Sequence, residues 1–215
     1  MTKDELINFL IKDGYLKTSL VIEAFKTIDR EDFVSEDLKA QAYDNVPLPI
    51  GDGQTISQPL VVAFMLELLD LRLGDKVLEI GSGSGWKTAL MAKIVGNIGK
   101  IYALERIPQL YELSKANTSK YSFPTDLAES NLGRGVIELI CVDASKGYED
   151  QAPYDKIIAA AAAEKIPEEW KTQLKIGGRI VAPVGNSILV LEKISKDKFE
   201  QKEYFGFSFV PLISD

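Results

Sequence analysis

Apolar positions recur first at helical spacing. Leu6, Phe9 and Leu10 form one stripe, and Val21, Ala24, Phe25 and Ile28 form another. This spacing predicts helical structure over residues 1 to about 45, with each stripe turned toward a core. The pattern then breaks at residues 47–59, PLPIGDGQTISQP, which hold three prolines and a Gly-Asp-Gly turn signal. A long, specialised loop is expected there. The run LVVAFMLELL directly behind it predicts a helix over residues 59–69, with proline in its first turn.

Beyond residue 74 short apolar runs alternate with helical stretches. Strands are predicted at 76–80 (KVLEI), 100–104 (KIYAL), 136–142 (VIELICV), 154–160 (YDKIIAA) and 177–185 (GGRIVAPVG). Helices are predicted at 86–96, closed by Gly96, at 107–121 and around 167–174. Two last runs, 187–194 (SILVLEKI) and 202–212 (KEYFGFSFVPL), predict a closing antiparallel pair. Strands alternating with helices imply an α/β fold with a mostly parallel sheet covered on both faces. Residues 122–135 (SFPTDLAESNLGRG) look like a loop insertion before the third of these strands.

A chain of 215 residues is long enough for one large core. No unbroken apolar run is longer than that of residues 157–163, which is far too short to cross a bilayer. The start, MTKDELINFLIKDGY, mixes acids with apolar residues and does not read as a signal peptide. Cys141 is the only cysteine, so no intrachain disulfide forms and a cytoplasmic setting is expected. The net charge of -7, with no Lys/Arg cluster, argues against nucleic acid as a partner. There are 0 histidines, which removes His–metal sites and Ser-His-Asp triads together; no metal site is expected.

Candidate chemistry begins at VLEIGSGSGW, which places Gly81, Gly83 and Gly85 between a strand and a helix. Ligands bind at the carboxyl ends of such strands, and glycine lets them approach the backbone. A dinucleotide fingerprint needs a glycine where Trp86 stands. The G-x-G-x-G form suits S-adenosylmethionine, which has no phosphates. Glu105 ends the second strand, where an acid can take both ribose hydroxyls, and Asp143 ends the third, where a side chain can meet an adenine amine. After the fourth strand comes AAAAE (160–164), which cannot stack or hold a base or an amide nitrogen as Asn/Asp-Pro-Pro-aromatic segments do. A carboxylate acceptor fits this apolar side, because it is already ionised at neutral pH and needs no base. The alanines equally suit tight packing of strand on helix. Thr55 and Ser57 precede the helix starting near Pro59. That helix N-terminus is a seat for a carboxylate, or Ser57 is simply its N-cap.

Several blocks together are similar to one family. VIEAFKTIDREDFV, AYDNVPLPIGDGQTISQP, GDKVLEIGSGSGW, ALERIP, APYDKII, IPEEWKTQLKIGGRIVAPVG and FVPL occur in the order of the protein-L-isoaspartate (D-aspartate) O-methyltransferases, over nearly the full length. The resemblance implies a class I, Rossmann-like methyltransferase fold of about seven strands. It implies one domain over 1–215, with a helical region and loop at 1–58 and the sheet-bearing core at 59–215. S-adenosylmethionine would be the donor and S-adenosylhomocysteine the product. The acceptor would be the free α-carboxylate of isoaspartyl, or D-aspartyl, residues in damaged proteins. The methyl ester would collapse to a succinimide that hydrolyses partly to normal aspartate.

Carried over by residue, the active-site hydroxyl is Ser57. The substrate-binding set is Thr55, Ser57, Ala161 and Val210. The cofactor set is Ile56, Ser57, Gly81, Ser82, Gly83, Gly85, Glu105, Arg106, Asp143, Ala144 and Ala160. The chain departs from the family's usual pattern at Ala144, Trp86 and Glu164. A monomer binding neither membrane nor nucleic acid is expected. A methylase dedicated to one peptide's aspartate and a non-catalytic peptide-binding relative are the competing readings.

Overall fold

Helix α1 (Lys3–Lys12) starts with a capping box: Glu5 N–H donates to Thr2 Oγ1, and Thr2 N–H donates to the Glu5 carboxylate. Helix α2 (Ser19–Thr27) follows, and the backbone turns extended at Ile28. The computed structural model describes residues 1–123 and 135–213, so most of the predicted insertion, 124–134, lies outside the described residues. The expectation of helix through residue 45 is corrected: only two 3-10 turns, Arg30–Phe33 and Glu36–Gln41, follow α2. Lys3 Nζ and the Tyr43 hydroxyl both donate to Asp29 Oδ1, at 2.6 and 2.9 Å, which helps hold Asp29 extended.

Residues 47–59 are not an irregular loop. They form a hairpin of β1 (Leu48–Gly51) and β2 (Gln54–Ile56). Asp52 and Gly53 make its turn with φ of 50° and 70°. Asp-Gly suits a two-residue turn in which both central residues have positive φ. Helix α3 (Pro59–Leu69) then matches its predicted bounds.

The large sheet is built from β3 (Lys76–Ile80), β4 (Lys100–Glu105), β5 (Ile137–Cys141), β6 (Tyr154–Ala159), β7 (Leu174–Val184), β8 (Ser187–Ser195) and β9 (Lys198–Phe205). Their spatial order is β5-β4-β3-β6-β7-β8-β9, and only the β7–β8 and β8–β9 pairings are antiparallel. Helices α4 (Trp86–Val95), α5 (Pro108–Thr118) and α6 (Glu168–Thr172) connect them. Successive strand residues feed opposite cores. Val77, Ile101, Ile158 and Val181 pack with the N-terminal helices, while Leu78, Tyr102, Ile157 and Ile180 pack with Ile166 and Trp170. This alternation explains why β3, β4 and β6 read as continuous apolar runs.

The closing strand differs from expectation. β9 ends at Phe205, and Gly206, at φ 96°, turns the chain out of the sheet. Residues 207–213 instead run alongside the segment after β6: Ala162 N–H donates to Val210 O and Leu212 N–H to Ala162 O, both at 2.8 Å. The aromatic run in this stretch serves as a strap rather than a strand.

Candidate active site

Strand order reverses between β3 and β6, with β4 leading one way and β6 the other. Ligand crevices form at such switch points, beyond the carboxyl ends of the strands. A cleft of about 400 Å3 lies there, within the range of small-molecule sites. Its floor is Ile80, Gly81 and Gly83 after β3, Leu104 to Ile107 at β4, Asp143 and Ala144 after β5, and Ala160 and Ala161 after β6. The hairpin forms one wall through Ile50, Gln54 and Thr55, and the strap forms another through Phe209 to Ile213.

The glycine loop is folded back onto the end of β4. Gly81 and Ser82 N–H groups donate to Leu104 O at 2.9 and 3.0 Å. Gly83 N–H donates to Glu105 Oε2 at 2.9 Å, and Ile107 N–H donates to Glu105 Oε1 at 3.0 Å. Glu105 is therefore buried with its carboxylate anchored by two backbone donors, while each oxygen keeps a further lone pair. Asp143 accepts from the Ser145 N–H and hydroxyl at 2.9 and 3.0 Å. A Cβ added to Gly81 would stand 3.6 Å from Ala160 Cβ, so a bare α-carbon keeps the floor low between β3 and β6.

Behind the loop lies a pair of charges that sequence reasoning missed. Glu79 is fully buried, accepts from the Thr88 hydroxyl at 2.5 Å and faces Lys87 Nζ at 3.6 Å. Burial pushes the Glu79 carboxyl up, with Lys87 pulling it back; burial likewise pushes the Lys87 ammonium down against the pull of Glu79. On the line KVLEIGSGSGWKT both read as ordinary surface residues.

The other wall is held by Arg30, which the sequence also left unremarked. Its guanidinium is 1% exposed and donates to the carbonyls of Ala42 (2.6 Å), Val46 (3.0 Å) and Ser57 (3.1 Å), with longer contacts to Asp44 and Ile56. It lies 5.2 Å from the centroid of the Trp86 ring. Burial pulls its pKa down to about 10, partly offset by Asp44, so it stays charged at neutral pH. This buried positive charge stands directly behind Ser57.

The N-terminus of α3 is only partly open. Its N-cap is Gln58 and not Ser57, and no side chain of the cap closes it. Pro59 has no N–H, and Leu60 N–H donates to Asn45 Oδ1 at 3.0 Å. Val61, which lines the cleft, makes no hydrogen bond through its N–H among the described residues. Val61 and the half-buried Ser57 thus both line the cleft, on the side where Arg30 holds the Ser57 carbonyl.

The family model for protein-L-isoaspartate(D-aspartate) O-methyltransferase matches residues 1–215. The chain belongs to this family. A protein-L-isoaspartate O-methyltransferase of Ignicoccus hospitalis is 45% identical over 99% of this chain and 98% of its own length. That of Methanothrix thermoacetophila is 44% identical over 99% and 95%. A solved protein-L-isoaspartate O-methyltransferase superposes with a TM-score of 0.84 at 28% identity, covering 99% of this chain and 66% of its own. A Plasmodium falciparum structure, a putative member solved with S-adenosyl-L-homocysteine, has a TM-score of 0.83 at 22% identity over 100% of both chains, and bears on the fold. The class I methyltransferase architecture expected from the resemblance is the architecture of this chain.

Within the methyltransferase cleft, Thr55, Ser57, Gly81, Gly83, Glu105, Arg106, Asp143, Ala144, Ala160, Ala161 and Val210 come together. Three residues of the expected cofactor set do not line it. Ile56 is buried in the apolar core, because β2 turns it inward between Thr55 and Ser57. Ser82 is buried, and its hydroxyl makes no hydrogen bond among the described residues. Gly85 packs α4 against α5: an added Cβ would meet Ser114 Oγ at 2.8 Å. Trp86, expected as a departure, points into the core edge-on to Phe25 at 5.5 Å. Glu164 is exposed. Gln54 and Gln58 line the cleft and were not singled out; the GQTISQP block offered the signal.

Proposed function

We propose that this chain is a protein-repair methyltransferase, moving a methyl group from S-adenosylmethionine to the free α-carboxylate of isoaspartyl residues in damaged proteins. Family membership over the full length supports the activity. The observation that carries the site is the opposition, across one cleft, of an acceptor-rich nucleoside floor and a Ser57 wall backed by Arg30. The floor offers two carboxylates, Glu105 and Asp143, beside apolar Leu104, Ile107, Leu110 and Ala144. Such a set suits the ribose diol and adenine of S-adenosylmethionine and is ill suited to phosphates. When bound, this molecule supplies an electrophilic methyl on a sulfonium centre.

The chain's own residues do the rest. Ser57 and Val61 N–H seat the acceptor carboxylate, the Arg30 charge favours an anion there, and the strap and hairpin narrow the access of water. Alignment and dehydration are the main demands of such a displacement. Residues 1–215 act as one domain in this reading. The shared core, in which Leu6 and Phe25 pack in one cluster with Val77 and Val181, supports it. A cytoplasmic monomer belongs to the same reading; the lone Cys141 suits a reducing compartment. Among the described residues no helix is long and apolar enough to cross a membrane.

The test is turnover of a synthetic isoaspartyl peptide with S-adenosylmethionine over repeated cycles. Methanol release and accumulation of the normal aspartyl peptide are expected; a stable methylated product at another atom would reject the reading.

Glu105→Ala should weaken S-adenosylmethionine binding by about 1.5–3 kcal/mol, the scale of hydrogen bonds to a charged group. Calorimetry finding unchanged affinity in a folded variant would contradict the ribose role. Ser57→Ala should lower kcat while cofactor affinity holds and the pH profile keeps its shape, since an ionised acceptor needs no proton transfer. Appearance of a new ionisation in that profile would overturn this role.

A further inference from the structure

The backbone of Arg30 is held from outside the cleft. Arg30 opens the 3-10 turn Arg30–Phe33, and residues just beyond the end of α5 grip that turn. The Tyr121 hydroxyl accepts from Asp29 N–H at 2.8 Å and donates to Asp32 Oδ2 at 2.6 Å, so it touches the chain on either side of Arg30. Burial and the Asp32 carboxylate push the Tyr121 pKa up, which keeps the hydroxyl a donor at neutral pH. Its ring stacks on buried Phe33, with centroids 5.8 Å apart. Beside it, Lys120 Nζ donates to Asp32 O and, at 3.0 Å, to Asn117 Oδ1. Asn117 Nδ2 in turn donates to Ser84 O in the glycine loop at 2.9 Å. The far end of Arg30 donates to Ser57 O at 3.1 Å. Tyr121 therefore stands between the two sides of the cleft without lining it.

We propose that Tyr121 is a positioning residue for methyl transfer: its hydroxyl ties the Arg30–Phe33 turn to α5, and through Arg30 it sets where the Ser57 side of the cleft stands relative to the glycine loop. The proposal rests on the repair reading above, in which the Ser57 side seats the acceptor. Tyr121 touches neither acceptor nor cofactor in this role. It acts through Arg30, whose guanidinium reaches Ser57 O.

Removing the hydroxyl should loosen one side of the cleft and spare the other. Asp29 N–H loses its partner among the described residues, and Asp32 stays tied to this end of α5 only through the Lys120 bond to its carbonyl. Arg30 and the Ser57 carbonyl can then shift together. The glycine loop keeps its own anchors: Asn117 on Ser84 O, Gly85 packed against Ser114, and Gly83 N–H on Glu105. The displacement thus falls on the acceptor side. Since misplacement by about 1 Å costs on the order of a hundredfold in rate, a partial shift should cost about tenfold.

The experiment compares full-length variants on an isoaspartyl reference peptide, well below their melting temperatures. Tyr121→Phe keeps the stack on Phe33 and loses only the hydroxyl; its kcat should fall about tenfold while calorimetric affinity for S-adenosylmethionine stays within about twofold. Lys120→Met, which loosens the same grip, should move kcat the same way. Tyr154→Phe is the control. It removes a tyrosine hydroxyl from the other core, where it donates to Tyr148 O at 2.6 Å, and should lower the melting temperature with kcat unchanged. In an Arg30→Lys background the Tyr121→Phe loss should shrink to less than about twofold, because residues acting through one another are not additive. Unchanged kcat in folded Tyr121→Phe, an equal fall in Tyr154→Phe, a parallel loss of cofactor affinity, or losses that simply multiply with Arg30→Lys would each overturn the proposal. Wild type that binds S-adenosylmethionine but leaves the reference peptide unmethylated would overturn the repair reading, and the proposal with it.

Discussion

Replacing Lys87 by Met should cost about 3–5 kcal/mol of stability at neutral pH, the scale for breaking a buried ion pair from one side. The substitution leaves the Glu79 carboxylate in the core with only the Thr88 hydroxyl as partner. Its pKa is already raised by burial, and loss of Lys87 removes the main influence lowering it. The pH dependence follows by sign. Below the ordinary carboxyl range, near pH 4, Glu79 is protonated in both folded and unfolded states, and the variant loses nothing through it. As pH rises through the raised folded pKa, the unfolded carboxyl ionises freely while the folded one resists, so the deficit grows and then levels off. In acid the wild type keeps a buried ammonium facing a neutral acid, so Lys87→Met should there be neutral or stabilising. Adding Glu79→Gln should recover most of the loss at neutral pH. Denaturant melts of the wild type, the two single variants Lys87→Met and Glu79→Gln, and the double variant across pH measure this; a pH-independent deficit would show that packing, not charge, sets the cost.

Arg30→Met should cost a similar ~3–5 kcal/mol. It strips donors from the carbonyls of Ala42, Val46 and Ser57, each of which is expensive to leave unpaired. For a chain of this size the melting temperature should fall by roughly 6–20 °C. Function should separate from stability. Below the new melting point, kcat for an isoaspartyl peptide should drop well beyond any change in cofactor affinity. Arg30 holds the Ser57 side of the cleft, proposed above to seat the acceptor, and only brushes the glycine-loop side through Trp86. Arg30→Lys keeps the charge without the planar fork and should fall between the two. Parallel losses in cofactor affinity and kcat would contradict this placement of Arg30.

What could be read from the sequence followed the strength of local signals. α3 and β3 match their expected bounds because each is a dense apolar run between strong punctuation: Pro59 and Asp70 for α3, Gly74-Asp75 and Gly81 for β3. The hairpin stayed hidden because its strands are four and three residues long and carry Pro49, too short for alternation to show. The strap was mistaken for strand because Tyr204, Phe205, Phe207 and Phe209 keep a strand-like composition across Gly206. The placement of Glu105 and Asp143 at the cleft was legible because clefts form beyond the strand ends of parallel sheets. Gly85 carried the same motif signal but answers to helix packing, which no residue pattern distinguishes from ligand approach. Arg30, Asn45, Glu79 and Lys87 were illegible for one reason. A charged or amide side chain looks solvated on paper, and only the folded chain supplies the carbonyls, helix N–H or counter-charge that take it inside.

The most direct test of the account sets two peptides against each other, identical except that one carries an isoaspartyl and the other an aspartyl linkage at a single position. An isoaspartyl residue places its free carboxylate one methylene nearer the backbone branch. A wall made of Ser57, Val61 N–H and a braced hairpin should sense that shift, since misplacement by about 1 Å costs on the order of a hundredfold in rate. Labelled methyl transfer measured on both peptides should therefore favour the isoaspartyl one by at least about a hundredfold in kcat/KM. Equal labelling of the two would contradict the account.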